Sequence, residues 1–223
     1  MPRRKKLLAT NEIYHIFNKS VGCEKLFEHI GQLHRALDLI NYYRFPQRLR
    51  YSKFKKLSLK QRKVYYDQMV RVQPLVKIYV FALMPNHYHL LLKQIKKKGI
   101  SVFIANFQNS FAKYFNLKNN RHGTLFINSF KAIRIETDEQ FTHLSRYIHL
   151  NPVTSFLIEI DRLIDYPWTS LPYYLQKRKD SFIKTKKIID MFESKDKYWQ
   201  FVKDQADYQR KLGLIKKLAM EKT

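Results

Sequence analysis

The 223 residues suffice for one domain of ordinary size with an elaboration, and 45% hydrophobic with 15% aromatic residues exclude a disordered chain. Lys and Arg number 43 against 18 Asp and Glu, a net charge of +25 that must face water or a polyanion, with nucleic acid the first partner to consider and an anionic membrane the competitor. The single cysteine, Cys23, excludes an intramolecular disulfide or a cysteine-based zinc site and suits a reducing cytoplasm, and the five glycines form no phosphate-binding loop of a motor or kinase.

The basic start Met1-Pro2-Arg3-Arg4-Lys5-Lys6 is followed by no long apolar run, so neither a signal peptide nor a membrane span is expected. Ile13-Tyr14-His15-Ile16-Phe17 reads as a first strand, rich in β-branched and aromatic residues. Residues 18–25 read as a loop. Over residues 27–43 the apolar positions Phe27, Ile30, Leu33, Leu37 and Ile40 recur at three and four, the spacing of an amphipathic helix. Residues 44–73 form a basic insertion, ten Lys or Arg against the one acid Asp67, with helix expected around 58–70. Its aromatics Tyr51, Phe54 and Tyr65 either stack on unpaired bases or pack the insertion itself, and packing is the plainer reading for any one of them.

Val76-Lys77-Ile78-Tyr79-Val80-Phe81-Ala82-Leu83 and His87-Tyr88-His89-Leu90-Leu91-Leu92-Lys93 flank the turn Met84-Pro85-Asn86 as a hairpin. Ser101 is placed to cap a helix whose stripe is Phe103, Phe107, Phe111 and Phe115, ending at residues 119–123, with a strand near 130–135 beyond it. Thr137 and Gln140 make a capping box for a helix that Pro152 is expected to stop. Further helices are expected near 186–191 and 197–218. The order β-α-β-β-α-β-α predicts an α+β fold, an antiparallel or mixed sheet with helices on one face.

Two groups of residues carry potential chemistry. His87 and His89 flank Tyr88 on one strand, so both imidazoles share a face and can converge on one metal ion; a pair of surface histidines is the plain alternative. On the capped helix His143, Tyr147 and Asn151 recur at four and line one polar edge. A tyrosine one turn before an amide oxygen presents a nucleophile beside a ligand, although spacing alone does not choose Tyr147 over Tyr114, Tyr79 or Tyr88.

Six ordered motifs, spread over residues 10–176, then decide the reading. They are Tyr14-His15-Ile16-Phe17-Asn18-Lys19-Ser20-Val21-Gly22, Met84-Pro85-Asn86-His87-Tyr88-His89-Leu90-Leu91, Phe111-Ala112-Lys113-Tyr114-Phe115-Asn116, Gly123-Thr124-Leu125-Phe126, Tyr147-Ile148-His149-Leu150-Asn151-Pro152-Val153 and Tyr166-Pro167-Trp168-Thr169-Ser170. In this order they resemble the single-tyrosine HUH transposases, and among them the REP-associated tyrosine transposase type. The resemblance implies a ferredoxin-like core and metal-dependent cleavage and rejoining of single-stranded or hairpin DNA, REP-like palindromes included. It implies His87 and His89 as metal ligands, Asn151 as a third, Tyr147 as nucleophile, and Mg²⁺ or Mn²⁺ as the ion. Two departures bear on DNA contact: Ser129 stands where an arginine is common, and Thr154-Ser155 replace a basic residue after Asn-Pro-Val.

The expected organisation is a catalytic domain over residues 10–176 with the insertion at about 44–73, then a basic, mostly helical extension over 177–223. The expected enzyme is cytoplasmic, nucleoid-associated, free of membrane, and a monomer or homodimer. The alternative is a domesticated relative that binds structured DNA without cutting it.

Overall fold

A computed structural model of the chain describes residues 8–127, 129–177 and 182–206. Its strands are β1 (Ile13–Lys19), β2 (Val76–Met84), β3 (His87–Gln94) and β4 (Lys131–Ile135). The principal helices are α1 (Ile30–Tyr43), α2 (Tyr51–Lys56), α3 (Leu59–Val70), α4 (Gly99–Lys118) and α5 (Asp138–Thr154). The short α6 (Leu171–Tyr174), α7 (Lys186–Ile189) and α8 (Lys195–Lys203) follow.

The strands hydrogen-bond in the order β2-β3-β1-β4. The Pro85-Asn86 turn makes β2 and β3 a hairpin. Asn11 donates to the Gln94 carbonyl while Ser20 donates to that of Asn86, so β1 runs against β3. The antiparallel bridge from Ser20 to Phe126 and the ion pair of Glu12 with Arg134 set β4 against β1 in the same sense. The sheet is therefore wholly antiparallel with the βαββαβ order of a ferredoxin-like fold, within the α+β class read from the sequence.

The chain divides into two compact units. The first takes residues up to 77, then 85–88 and 92–134. Here α1 packs on α4, and the stripe Phe103, Phe107, Phe111 and Phe115 is buried as its spacing predicts. Tyr88 points into this core, its ring edge-on to Phe107 and Phe126, with Gln108 Nε2 donating to its hydroxyl at 2.8 Å. The helix begins earlier than Ser101 would place it. Lys98, at φ 59°, precedes Gly99, and the Ile100 amide is satisfied by Gln94 Oε1 at 3.1 Å, so the cap comes from β3. Gly99 is required there, because a Cβ would collide with the Leu75 carbonyl oxygen.

The insertion forms its own aromatic cluster in this unit. Tyr42 meets Tyr51, Phe54 and Tyr65 at centroid distances of 5.2, 5.0 and 6.3 Å. The Tyr65 hydroxyl accepts from the Leu49 amide and donates to Gln47, and the Tyr51 hydroxyl donates to Asp38 at 2.6 Å. These rings are packing residues, so the base-stacking alternative for Tyr51, Phe54 and Tyr65 gives way to the plainer one.

The second unit takes residues 78–84, 89–91 and those from 135 onward. Thr137 caps α5, its hydroxyl accepting from the Gln140 amide at 3.0 Å, while Gln140 Oε1 accepts from Glu136 rather than from Thr137. Pro152 does not stop the helix. It sits in the last turn, where its missing N–H removes one bond only, and Ser155 still donates to the Asn151 carbonyl at 3.0 Å. Phe141 packs edge-on against Tyr79 at 5.0 Å, and α8 packs on α5. The outer edge of β2 is covered from the C-terminal side: Leu83 donates to Trp168, Ser170 to Phe81, and Lys184 to Ile78. The helix expected over 197–218 is seen to residue 203, and residues 207–223 lie outside the described residues. No helix among the described residues is long and apolar enough to cross a membrane.

Candidate active site

Alternation along β3 sorts its side chains. Tyr88, Leu90 and Leu92 are fully buried, whereas His87 and His89 share the other register, one residue apart across Tyr88. The His87 Nδ1 lies 2.7 Å from Asn86 Oδ1. An amide oxygen accepts only, so Nδ1 carries the proton and Nε2 is the unprotonated nitrogen of the ring. Burial, helped by the nearby Lys19 charge, pushes the His87 pKa down to about 4, so the ring is neutral at physiological pH. Lys19 is exposed at the end of β1 and drew no notice as a single residue; the only signal in the sequence was its place inside the first motif.

In the second unit the His89 ring stands edge-on to that of Tyr147, with centroids 6.0 Å apart and planes at 89°. Tyr147 is 40% exposed, and burial of the remainder raises its pKa above the usual tyrosine value. Its hydroxyl is therefore protonated at neutral pH and must lose a proton to act as a nucleophile. One turn on, the buried Asn151 donates from Nδ2 to the Tyr147 carbonyl at 3.0 Å, which fixes the orientation of its amide. The helix thus holds Tyr147 and Asn151 in one rigid relation.

Of the other residues on this edge, His143 is structural. Its Nδ1 accepts from Arg146 at 2.9 Å and its ring meets Phe201. Tyr114, the competing nucleophile, lies under the Arg35 guanidinium at 4.6 Å, between α1 and α4 of the first unit. His15 is buried on β1, its ring tilted against that of Phe17.

The residue that sequence reasoning passed over is His149. It is fully buried on α5, with Nδ1 2.8 Å from the Tyr198 hydroxyl and Nε2 2.8 Å from Ser170 Oγ. Ser170 Oγ also accepts from the Phe81 amide at 3.0 Å, and Tyr198 meets Ser145 at 3.0 Å. One imidazole therefore ties α5 to α8 and, through Ser170, to β2. No spacing rule could have paired positions 49 residues apart.

Among the described residues no three His, Cys, Asp or Glu side chains gather as a metal centre. The set expected from the sequence is instead two imidazoles, those of His87 and His89, and the amide oxygen of Asn151. These donors suit a divalent ion that keeps most of its coordination for water and phosphate, Mn²⁺ or Mg²⁺ before calcium.

Comparison with known proteins agrees with this architecture. The chain is similar to a solved REP-associated tyrosine transposase bound to a REP hairpin, with a TM-score of 0.53 over 83% of this chain and 92% of that one. At 14% identity the likeness is one of fold. No curated protein is similar enough to count as a match. Residues 47–151, from the insertion through β2, β3, α4 and β4 to Asn151, match the family described as IS200-like transposase. That span ends on the helix that bears Tyr147, and with the shared fold the match bears out the resemblance read from the sequence.

Proposed function

We propose that the chain cleaves and rejoins single-stranded or hairpin DNA, with Tyr147 as nucleophile and a divalent ion held by His87, His89 and Asn151. The observation that carries this reading is the edge-on contact of His89 with Tyr147, which brings a metal-ligating group and a nucleophile of the same unit together. Tyr147 Oη attacks the scissile phosphorus, its proton leaves, and the P–O3′ bond breaks. The products are a 5′-phosphotyrosine and a 3′-OH that has taken up a proton. One diester is exchanged for another, so attack by a second 3′-OH runs the same step backwards and joins new ends without ATP. The ion, when bound, polarises the phosphate and offsets the charge that builds there. Asn86 holds the His87 tautomer, and the ammonium of Lys19 next to His87 offers the phosphate a counter-charge. The solved neighbour's REP hairpin supports a hairpin as the substrate class, and the net charge of +25 supports a polyanion of any sequence.

The test is a denaturation-resistant protein–DNA adduct on labelled hairpins with Mg²⁺ or Mn²⁺. Tyr147→Phe removes one hydroxyl and is expected to abolish the adduct while hairpin binding persists; Tyr114→Phe is expected to keep it. An adduct on Tyr147→Phe overturns the assignment. Hairpin binding by the unaltered chain with no adduct under either ion selects the non-cleaving binder instead.

A further inference from the structure

The insertion contains a cleft of about 380 Å³ that shares no residue with the candidate active site. It lies in the first unit between α1, α2 and α3, and its size falls in the small-molecule range of about 300–1,000 Å³. Lys55, Arg62 and Lys63 contribute three cations to its walls, Asp38 and Asp67 two carboxylates, and Tyr66 an exposed ring. Arg62 Nε is buried with no hydrogen-bond partner, an orphaned donor at the wall of an open cleft. Lys55, Lys63 and Asp67 enter no ion pair among the described residues. Asp38 is engaged through Oδ2 by the Tyr51 hydroxyl, which leaves Oδ1 as a second acceptor.

We propose that this cleft seats one unpaired nucleotide of the DNA strand, an inference that rests on the reading of the chain as a DNA enzyme. Unmatched charges of both signs suit a ligand that is itself mixed. A phosphodiester supplies the acceptor that Arg62 Nε lacks and the anion that Lys55 and Lys63 require. The N–H edge of an unpaired base supplies donors to Asp38 and Asp67, and its face covers Tyr66. A duplex backbone fits less well, because the carboxylates repel a continuous row of phosphates and a paired base has no free donor edge. The carboxylates do not reverse the field. Exposed Lys53, Lys56 and Lys60 lie on the same two helices, α2 and α3, and at physiological salt charges act over about 8 Å.

The test compares a blunt hairpin with the same hairpin bearing a short unpaired flank, by fluorescence anisotropy on the full chain across a salt series. The Lys55→Ala, Lys63→Ala double variant alters exposed side chains and keeps the aromatic cluster; Lys186→Ala with Lys195→Ala is the charge-matched control. The flanked hairpin is expected to bind the cleft variant about tenfold more weakly, with the slope of log affinity against log salt shallower by about 1.4, the yield of two single-strand phosphate contacts. The blunt hairpin is expected to change no more than with the control. Tyr66→Ala is expected to weaken the flanked hairpin with no change of slope, because stacking releases no counterions. Equal losses on both hairpins, or none beyond the control, overturn the inference. An unaltered chain that binds neither hairpin overturns the DNA-enzyme reading and the cleft with it, a result distinct from either.

Discussion

Replacing His149 with phenylalanine tests whether one buried imidazole holds the helix that carries Tyr147. The variant keeps a ring against Tyr174 and Tyr198, at 5.1 and 6.0 Å in the native chain, but loses both nitrogen hydrogen bonds of 2.8 Å. Each bond contributes about 1 kcal/mol net. Tyr198 retains Ser145 and Ser170 retains the Phe81 amide, so neither hydroxyl is wholly orphaned. The larger ring adds about 1 kcal/mol of overpacking, for a total near 3 kcal/mol at about pH 7.5. Burial pushes the His149 pKa down from 6.5 to about 3. Below pH 6.5 the unfolded chain therefore takes up a proton that the folded chain refuses. The native advantage of this site is complete above pH 6.5 and shrinks as pH falls toward 3, by about 2 kcal/mol at pH 5. Phenylalanine has no such loss. The stability gap between the two proteins should thus narrow from about 3 kcal/mol to about 1 kcal/mol on acidification. Urea unfolding followed by circular dichroism at the two pH values measures it. A gap that stays constant refutes the buried neutral imidazole, and a gap below about 1 kcal/mol at the higher pH refutes its role as a tie.

His87→Ala and His89→Ala should each abolish adduct formation and leave hairpin binding nearly intact, and a chelator should do the same to the unaltered chain; cleavage by the double variant with added Mn²⁺ would remove the metal assignment. Asn86→Ala, which frees the His87 tautomer, should weaken metal-dependent cleavage by about 10–100-fold, as read from its metal titration. Gly99→Ala should destabilise the fold by about 1–3 kcal/mol in urea melts, since the Leu75 carbonyl must shift; a neutral result would mean that the β3-to-α4 junction is soft.

Local pattern carried most of the architecture. The β2–β3 hairpin, the phenylalanine stripe of α4 and the Thr137 cap lie where spacing and turn residues place them, because each depends on neighbours within a few positions. Errors arose where a distant partner outweighed the local rule. Ser101 is a good cap, yet Gln94 supplies the acceptor for α4. Pro152 breaks helices in general, yet in a last turn it has little left to break. His89 and Tyr147 were placed in one expected site by motif rather than by spacing, which left several tyrosines equal, and their edge-on contact was not foreseen. The His149 tie was invisible, since Tyr198 and Ser170 are brought to it by the fold alone.

The covering of β2 has a consequence for how the chain is made. β2 is a terminal strand of the sheet, nine residues long and buried at every position but Lys77. Among the described residues its outward N–H and C=O groups are met by residues 168–170, by the Tyr174 hydroxyl and by residues 183–184, which leave the ribosome some ninety residues later. Until then the nascent chain displays a bare apolar edge, the kind of surface to which a second strand adds and from which aggregates grow. A polypeptide ending at Asn151, where the family match stops, would contain every residue named for catalysis and still expose that edge. The segment beyond residue 151 thus shields a strand edge while contributing none of the residues proposed for catalysis.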